Sequence, residues 1–435
     1  MTEISTLLTC LHPLLGSKDL RHLQIISLAM LAMTGRVTML GLSRWTQEGG
    51  SYRTIQRFFS QRISWDALNF ELVRFRLDQK SGKILIAGDA TTVTKAGKET
   101  FGIGRFFSSL YSRAVPGLSF QCLSLIDVTS RKSWPIMFEQ ILPKPKISAT
   151  KNTEKKKNPK RGRPKGSKNK NHRDVVLNSE MVQVQAMLRR LLSLVSKHFK
   201  TCYFVYDGAF GNNAAVQMTR QVGLHLISKL QRNSALYFPW DGAYSGKGRK
   251  PIYGQRVDIQ NIPATHLKAT KTKGKIHTKT YQFTVRHKKM PDPITVVIIY
   301  KENLETGKKA HIILFCTDLD LAWQEVIDYY SLRFQIEFNF RDAKQYWGLE
   351  DFMVVKQQKV FNAANLSLWM VNLSQALLPN SKEQSILDLK SLYHGLHYAK
   401  MLFKILPENP GTINIETLLT KIPIVGRIHP TKIAA

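Results

Sequence analysis

Acidic residues are scarce in this chain: 31 Asp and Glu stand against 64 Lys and Arg in 435 residues, a formal charge of +33. Such a surplus repels itself unless a polyanion supplies counter-charge, which makes nucleic acid the expected partner. Cysteine is sparse as well. Cys10, Cys122, Cys202 and Cys316 lie far apart without a C-x-x-C pair, which argues against a zinc knuckle or a disulfide framework and fits buried thiols in a reducing compartment. Long uncharged apolar runs are missing too. The stretch from Leu23 to Leu42 is interrupted by Arg36, and the start Met-Thr-Glu carries no basic leader-like region, so no membrane partner and a cytoplasmic location are expected. What is present is a 43% hydrophobic content, enough to bury a large core in two or three domains.

Residues 1–78 carry helical periodicity, through Leu7-Leu8-Leu11, Leu23-Ile26-Met30-Leu31 and Ile55-Phe58-Phe59. Within them, Leu40 to Trp45, the Gly49-Gly50 turn and the Ser51-led stretch to Phe58 predict two helices, the second Ser-capped. Two uses fit this pair equally: a helix-turn-helix reader exposing Arg53 and Arg57, or a bundle packed on its neighbour. From Lys83 the runs shorten to strand length: Ile84 to Asp89, Leu118 to Val128 and Trp134 to Ile141. A helix at Ser179 to His198, a strand at Cys202 to Asp207, a helix from Asn213 and a strand at Leu224 to Lys229 follow. Three strands, helix, strand, helix, strand and a late helix is the element order of the ribonuclease-H-like fold.

The expected fold class is therefore α/β: a ribonuclease-H-like mixed sheet with a β-rich insertion, a helical N-terminal domain and a helical C-terminal tail. The insertion has strands at Tyr281 to Arg286, Ile294 to Tyr300 and His311 to Cys316, and is too long for a loop. The expected boundaries are 1–78 for the N-terminal DNA-binding or packing domain and 79–230 for the first part of the core, with a basic flexible loop at 144–175. The insertion takes 231–320, the last core helix 321–350 and the C-terminal region 351–435.

Asp89 and Asp207 each follow an apolar strand-like run and precede small residues, Ala90-Thr91-Thr92 and Gly208-Ala209. Farther on, Tyr330, Arg333, Glu337 and Lys344 are spaced i, i+3, i+7 and i+14. At about 100° per residue they point along about 0°, 300°, 340° and 320°, one stripe of a helix. Asp342 points near about 120° on the same count, so Glu337 is the better ligand candidate. Asp89, Asp207 and Glu337 are hard oxygen donors of the kind Mg²⁺ takes while sharing its shell with phosphate oxygens. Each Asp alone is also ordinary turn chemistry. Two competitors stand beside them: Asp318, read as a cap leading into a helix from Leu321 to Tyr330, and Asp127, read as a hairpin turn with Thr129 and Ser130.

With those residues in view, the chain resembles DDE transposases of the bacterial insertion-sequence-four group. The group's signature of Tyr, two residues, Arg, three residues, Glu, six residues, Lys is matched by Tyr330, Arg333, Glu337 and Lys344. Gly88-Asp89-Ala-Thr and Tyr206-Asp207-Gly-Ala-Phe210 resemble its first and second carboxylate motifs. The likeness spans roughly Lys83 to Trp347. It implies that Asp89, Asp207 and Glu337 are catalytic and hold two Mg²⁺ ions, with Mn²⁺ able to substitute. It implies that Tyr330, Arg333 and Lys344 contact the transposon end. It further implies double-stranded DNA as partner, both transposon ends and target, a dimer on paired ends, and a nucleoid-associated prokaryotic protein. Cleavage through a hairpin would need an aromatic platform, for which Trp240, Trp323 and Trp347 are candidates.

Between Lys151 and Lys170, ten of twenty residues are Lys or Arg. Arg161, Arg163 and Lys165 are the DNA-binding candidates there. Arg161-Gly-Arg163-Pro resembles an AT-hook that enters a narrow minor groove; a disordered electrostatic tether that attracts DNA without reading it is the favoured reading, since one short match arises easily in a lysine-rich loop. Two further readings of the whole chain stand beside the transposase: a ribonuclease-H-like DNA nuclease that only hydrolyses, and a domesticated, catalytically inactive DNA-binding protein.

Overall fold

A computed structural model describes residues 2–46, 49–77, 83–108, 111–143, 175–244, 246, 248–378, 385–405 and 416. The basic stretch with Arg161, Arg163 and Lys165 lies outside the described residues. The chain opens with helices α1 (Thr2–Leu8), α2 (Ser17–Ala32), α3 (Met39–Trp45), α4 (Tyr52–Phe58) and α5 (Trp65–Val73). Strands β1 (Ile84–Thr94), β2 (Gly104–Ser108), β3 (Arg113–Asp127) and β4 (Lys132–Ile141) follow, then α6 (Ser179–Val195) and β5 (Tyr203–Tyr206). Next come α7 (Asn213–Arg220), β6 (His225–Leu230), β7 (Leu236–Pro239), β8 (Tyr253–Arg256), β9 (Leu267–Lys273) and β10 (Ile276–His287). The last elements are β11 (Ile294–Asn303), β12 (Lys309–Cys316), α8 (Trp323–Leu332), α9 (Gln335–Gln345), α10 (Gln357–Leu377) and α11 (Ile386–Ile405). The architecture is mixed α/β of the ribonuclease-H-like class, with helices at both ends of the chain. It divides into two compact units: Met1–Ile141, Ala186–Thr201 and Leu332–Ala435 in the first, Leu142–Gln185 and Cys202–Ser331 in the second.

In the first unit, β3 is the organising strand. It pairs antiparallel with β1 along one edge, and along the other with β2 over its first residues and β4 over the rest. Helices α5, α9 and α10 pack on β4, and α2 packs on α11. Pro135 in β4 brings no backbone N–H, and the β3–β4 register shifts between Leu123 and Ser124. The carbonyls near that irregularity are met by asparagines of α10: Asn372 Nδ2 donates to Pro135 O at 2.7 Å and Asn365 Nδ2 to Phe138 O at 3.1 Å. Both asparagines are buried, so these bonds offset the cost of taking amides out of water. The expected Ser cap of α4 is present, with Ser51 Oγ accepting from Thr54 N at 3.3 Å, and Arg53 and Arg57 are exposed.

In the second unit, β5 and β6 run parallel, joined by α7, and β6 continues antiparallel into β12, β11 and β10. Strand β10 carries β9 over its first residues and β7 at its last two, and β7 pairs with β8. The strands read from apolar runs are present. To these the structure adds β2, β7, β8 and β9. In β9 almost every residue is exposed, so its Thr-Lys alternation has no apolar face for periodicity to register. No helix among the described residues is long and apolar enough to cross a membrane.

Candidate active site

Asp89 does not end its strand, as the run of apolar residues suggested. Strand β1 continues to Thr94 because β3 stays paired with it, Ala90 opposite Gln121 and Thr94 opposite Gly117. What changes at Asp89 is burial: Ile84 to Gly88 are buried, and from Asp89 onward half-buried or exposed residues are interspersed with the buried Thr91 and Val93. The carboxylate accepts from Ala90 N at 2.8 Å. Its backbone carbonyl accepts from Gln121 Nε2 at 3.0 Å, while the same amide also reaches Cys122 O at 3.1 Å. Gln121 is fully buried and was missed by the sequence reading. Its signal was legible: a long polar side chain inside the apolar run from Leu118 to Asp127 requires a buried partner. Cys122, opposite Asp89, has its thiol pushed up to about 12 by burial, with Asp89's charge adding to the effect.

The stripe from Tyr330 to Lys344 is not one helix. Helix α8 closes at Leu332 and α9 opens at Gln335. Between them Ile336 N donates to Arg333 O and Glu337 N to Phe334 O, both at 3.0 Å. These i→i−3 bonds wind the joint more tightly than an α-helix, so the rotation count from Tyr330 does not carry through. The i, i+4 relation of Arg333 and Glu337 survives.

Arg333 is the centre of the arrangement. Its Nη1 donates to Asp89 Oδ2, and Nη2 lies 3.5 Å from Glu337 Oε1. The Arg333 side chain is 12% exposed and that of Glu337 44%. Two carboxylates separated by 248 residues of chain thus meet one guanidinium. About two turns on, Lys344 Nζ donates to Thr92 O at 2.8 Å and stands 3.5 Å from Glu350 Oε1. Strand β1 and helix α9 are therefore tied twice, once through the carboxylates and once through a strand carbonyl. A third tie lies beyond α9: Lys95 Nζ donates to Glu350 O and Phe352 O, both at 2.8 Å, and sits 3.8 Å over the Phe352 ring. Burial lowers the Lys95 ammonium to about 8, against the opposing pull of Asp351 and Glu350. Asp342 is buried and accepts from Arg341 Nε and Nη2 at 3.1 and 2.9 Å.

Asp207 belongs to the second unit. It follows β5 and caps a short turn over Gly208–Phe210, its Oδ2 accepting from Ala209 N at 3.3 Å. Its carbonyl accepts from Ser228 Oγ on β6 at 3.0 Å, and the ring of Tyr206 stacks on Phe210 at 3.9 Å. Gly211 closes that turn under backbone: an added Cβ would stand 2.1 Å from Lys229 O. Tyr330, near the end of α8, is half-buried in the same unit. Asp318 does not cap α8, which begins at Trp323. It accepts from Asp320 N at 3.1 Å within its own turn and from Tyr203 Oη at 2.7 Å. Burial pushes its carboxyl up, but the bonds from Tyr203 and Asp320 and the nearby His225 bring it below the usual value. Asp127 is the hairpin residue expected, accepting from Thr129 N at 2.9 Å and Ser130 Oγ at 2.8 Å. Of the tryptophans, Trp347 is fully buried, Trp323 half-buried and Trp240 39% exposed.

Among the described residues, no three His, Cys, Asp or Glu side chains stand together as a metal-binding group. Asp89 and Glu337 do satisfy the simpler test of donor chemistry. Both offer carboxylate oxygens, the ligands a hard divalent ion takes, and one cationic group already spans them.

Residues 10–290 match a family model described as DDE superfamily endonuclease. The matched span includes Asp89 and Asp207 and stops before Glu337. A transposase for insertion sequence element IS231E, from Bacillus thuringiensis subsp. finitimus, is 24% identical over 166 residues, covering 32% of this chain and 34% of that protein. The chain thus matches about a third of the relative's length.

Proposed function

The chain belongs to the DDE superfamily of endonucleases, and we propose that it is a transposase of the insertion-sequence-four group. In this reading it cuts DNA at the ends of a mobile element and joins the freed 3′-hydroxyl to target DNA. The observation that carries the proposal is the meeting of Asp89 and Glu337 on Arg333, in a chain whose +33 charge calls for a polyanionic partner. The similarity to an insertion-sequence transposase supports it.

Asp89 and Glu337 supply two of the carboxylates, and Asp207 of the second unit supplies the third. When bound, two Mg²⁺ ions, replaceable by Mn²⁺, activate the attacking oxygen and stabilise the leaving one in an in-line displacement. The chain's own part is positioning and charge, since phosphodiester transfer needs little covalent help. The carboxylates would serve as ligands, and the ions they held would supply the positive charge that positions the reacting phosphate. Tyr330, Arg333 and Lys344 contact the transposon end, and Arg161, Arg163 and Lys165 add charge that attracts DNA. Pairing two ends requires a dimer on DNA, and the substrate places the protein at the nucleoid.

The test is an assay with pre-cleaved ends of the DNA flanking the gene. Covalent joining of their 3′-hydroxyls to target, dependent on Mg²⁺ or Mn²⁺, is the expected result. Metal-dependent nicking without joining identifies a nuclease instead. Neither nicking nor joining, with DNA binding retained, identifies an inactive DNA-binding protein.

A further inference from the structure

Without a divalent ion, two carboxylates that share a site repel each other, and the fold must bring them a positive charge. The other cations nearby are engaged elsewhere: Lys344 on Thr92 O and Glu350, Arg341 on Asp342, Lys95 on Glu350 O and Phe352 O. Arg333 alone among the described cations of α9 and its approach bonds Asp89 and also reaches Glu337. A guanidinium suits this place because it keeps its charge at any working pH and presents several N–H donors in a planar fork. Its burial is also informative. A residue whose only task was to meet DNA phosphate would gain from solvent exposure, whereas Arg333 is 12% exposed.

We propose that Arg333 is a stand-in cation: it holds Asp89 and Glu337 in their working positions until a divalent ion takes over, and then turns to the DNA phosphate. The inference rests on Asp89 and Glu337 being metal ligands. Arg333 is then a positioning residue with two anionic partners in succession, the carboxylates first and the phosphate second.

The linkage has a defined sign. Arg333 must leave Asp89 Oδ2 before that oxygen can be given fully to the metal, so the guanidinium competes with the metal in DNA-free protein. Only the fraction of molecules with Arg333 withdrawn binds at full strength, and the apparent affinity is lowered by that fraction. DNA that offers Arg333 a phosphate raises the fraction. By reciprocity DNA and metal then strengthen each other's binding, which confines a charged metal site to the complex where it is needed.

The experiment is Mn²⁺ titration of the full chain without DNA, free Mn²⁺ being read by electron paramagnetic resonance. Wild type is compared with Arg333→Gln, Arg333→Lys, Arg341→Gln and Asp89→Asn. Arg333→Gln should bind Mn²⁺ about tenfold more tightly than wild type, within the usual range of coupling between linked sites. Arg333→Lys, a point charge without the fork, should fall between them, and serves if the Gln variant does not fold. Arg341→Gln removes one charge from the same helix, where it pairs with Asp342, and should change affinity by less than about twofold. Unchanged or weaker binding in both Arg333 variants, with Asp89→Asn abolishing the site, overturns the stand-in while leaving the ligand assignment. An equal gain in Arg341→Gln overturns it as well, because general charge then explains the effect. Asp89→Asn binding Mn²⁺ like wild type overturns the ligand assignment and the stand-in together.

Discussion

Asp89 and Asp207 look alike in sequence, each an aspartate after an apolar run and before small residues, yet they are held in different ways. Asp89 sits within a strand that continues past it, and its carboxylate answers a buried guanidinium. Asp207 sits just past a strand, and its carboxylate answers the backbone N–H of Ala209. Both carboxylates accept a nearby backbone N–H, and a guanidinium is added at the first. An aspartate after a strand is therefore two different devices, and substitution by the isosteric amide tells them apart.

On the proposed assignment Asp89→Asn and Asp207→Asn each take a charged ligand from the metal, and each should lower metal-dependent DNA cleavage by at least about a hundredfold. Their stabilities should differ. Asn keeps the cap on Ala209, because Asn and Asp serve equally there, so loss of that bond should contribute no more than about 0.5 kcal/mol to any change in Asp207→Asn. Asp89→Asn takes a carboxylate charge away from the buried Arg333 and should cost about 1–3 kcal/mol. Cleavage assays paired with denaturant melts measure both. Equal melts would erase the contrast, and full cleavage by Asp207→Asn would hand the third carboxylate's role to Asp318.

The turn at Asp207 sharpens the comparison through its glycines. An alanine Cβ at Gly211 would stand 2.1 Å from the backbone oxygen of Lys229, whereas at Gly208 it would meet the flexible Lys229 side chain at 2.8 Å. Backbone cannot yield as a lysine chain can. Gly211→Ala should therefore destabilise by about 1–3 kcal/mol or more and Gly208→Ala by less than about 0.5 kcal/mol. Similar melting points for the two variants would show that the Asp207 turn is not geometrically fixed.

Much of this was legible from residue pattern, and the failures share a cause. Strands β1, β3, β4, β5, β6, β11 and β12 announce themselves because their faces are buried and apolar. Strand β9 does not, because its neighbours leave it in solvent. The tie between Arg333 and Glu337 follows from i, i+4 spacing. The break between α8 and α9 does not, since a change from i→i−4 to i→i−3 bonding leaves the hydrophobic pattern almost unaltered. Nor could spacing reveal that Arg333 reaches Asp89, a contact across 244 residues made by tertiary folding.

On the Asp89 side, Lys344 is placed to do two things, and its removal should show both weakly. The Nζ bond to Thr92 O ties α9 to β1, while a phosphate contact is its proposed task on DNA. Lys344→Ala should lower the slope of log binding constant against log salt by about 0.9, the contribution of one phosphate. Its stability should fall by about 1 kcal/mol, the worth of one ordinary hydrogen bond. A lowered melt with an unchanged salt slope would make Lys344 a brace for the Asp89 strand and nothing more.

The smallest effect belongs to Lys95, the other brace on that side, and it is read through pH. Burial lowers its ammonium to about 8 from an ordinary 10.5. Below about pH 8 the lysine is protonated whether the chain is folded or unfolded. Between about 8 and 10.5 the unfolded chain keeps a proton that the folded chain has shed, so this residue's contribution to stability rises with pH across that window. Lys390, also lowered to about 8 by burial, acts in the same direction, and Cys122, raised to about 12 from 9.0, acts against them above pH 9. The difference between wild type and Lys95→Met removes both. Methionine keeps the contact with the Phe352 ring and discards the charge, so wild type should gain on the variant as pH climbs from 8 to 10.5. Solvent screening keeps the gain small. A flat difference would mean that Lys95 stays charged on Glu350 O and Phe352 O throughout, and that the Asp89 strand is braced by a permanent cation at this end as it is by Arg333 at the other.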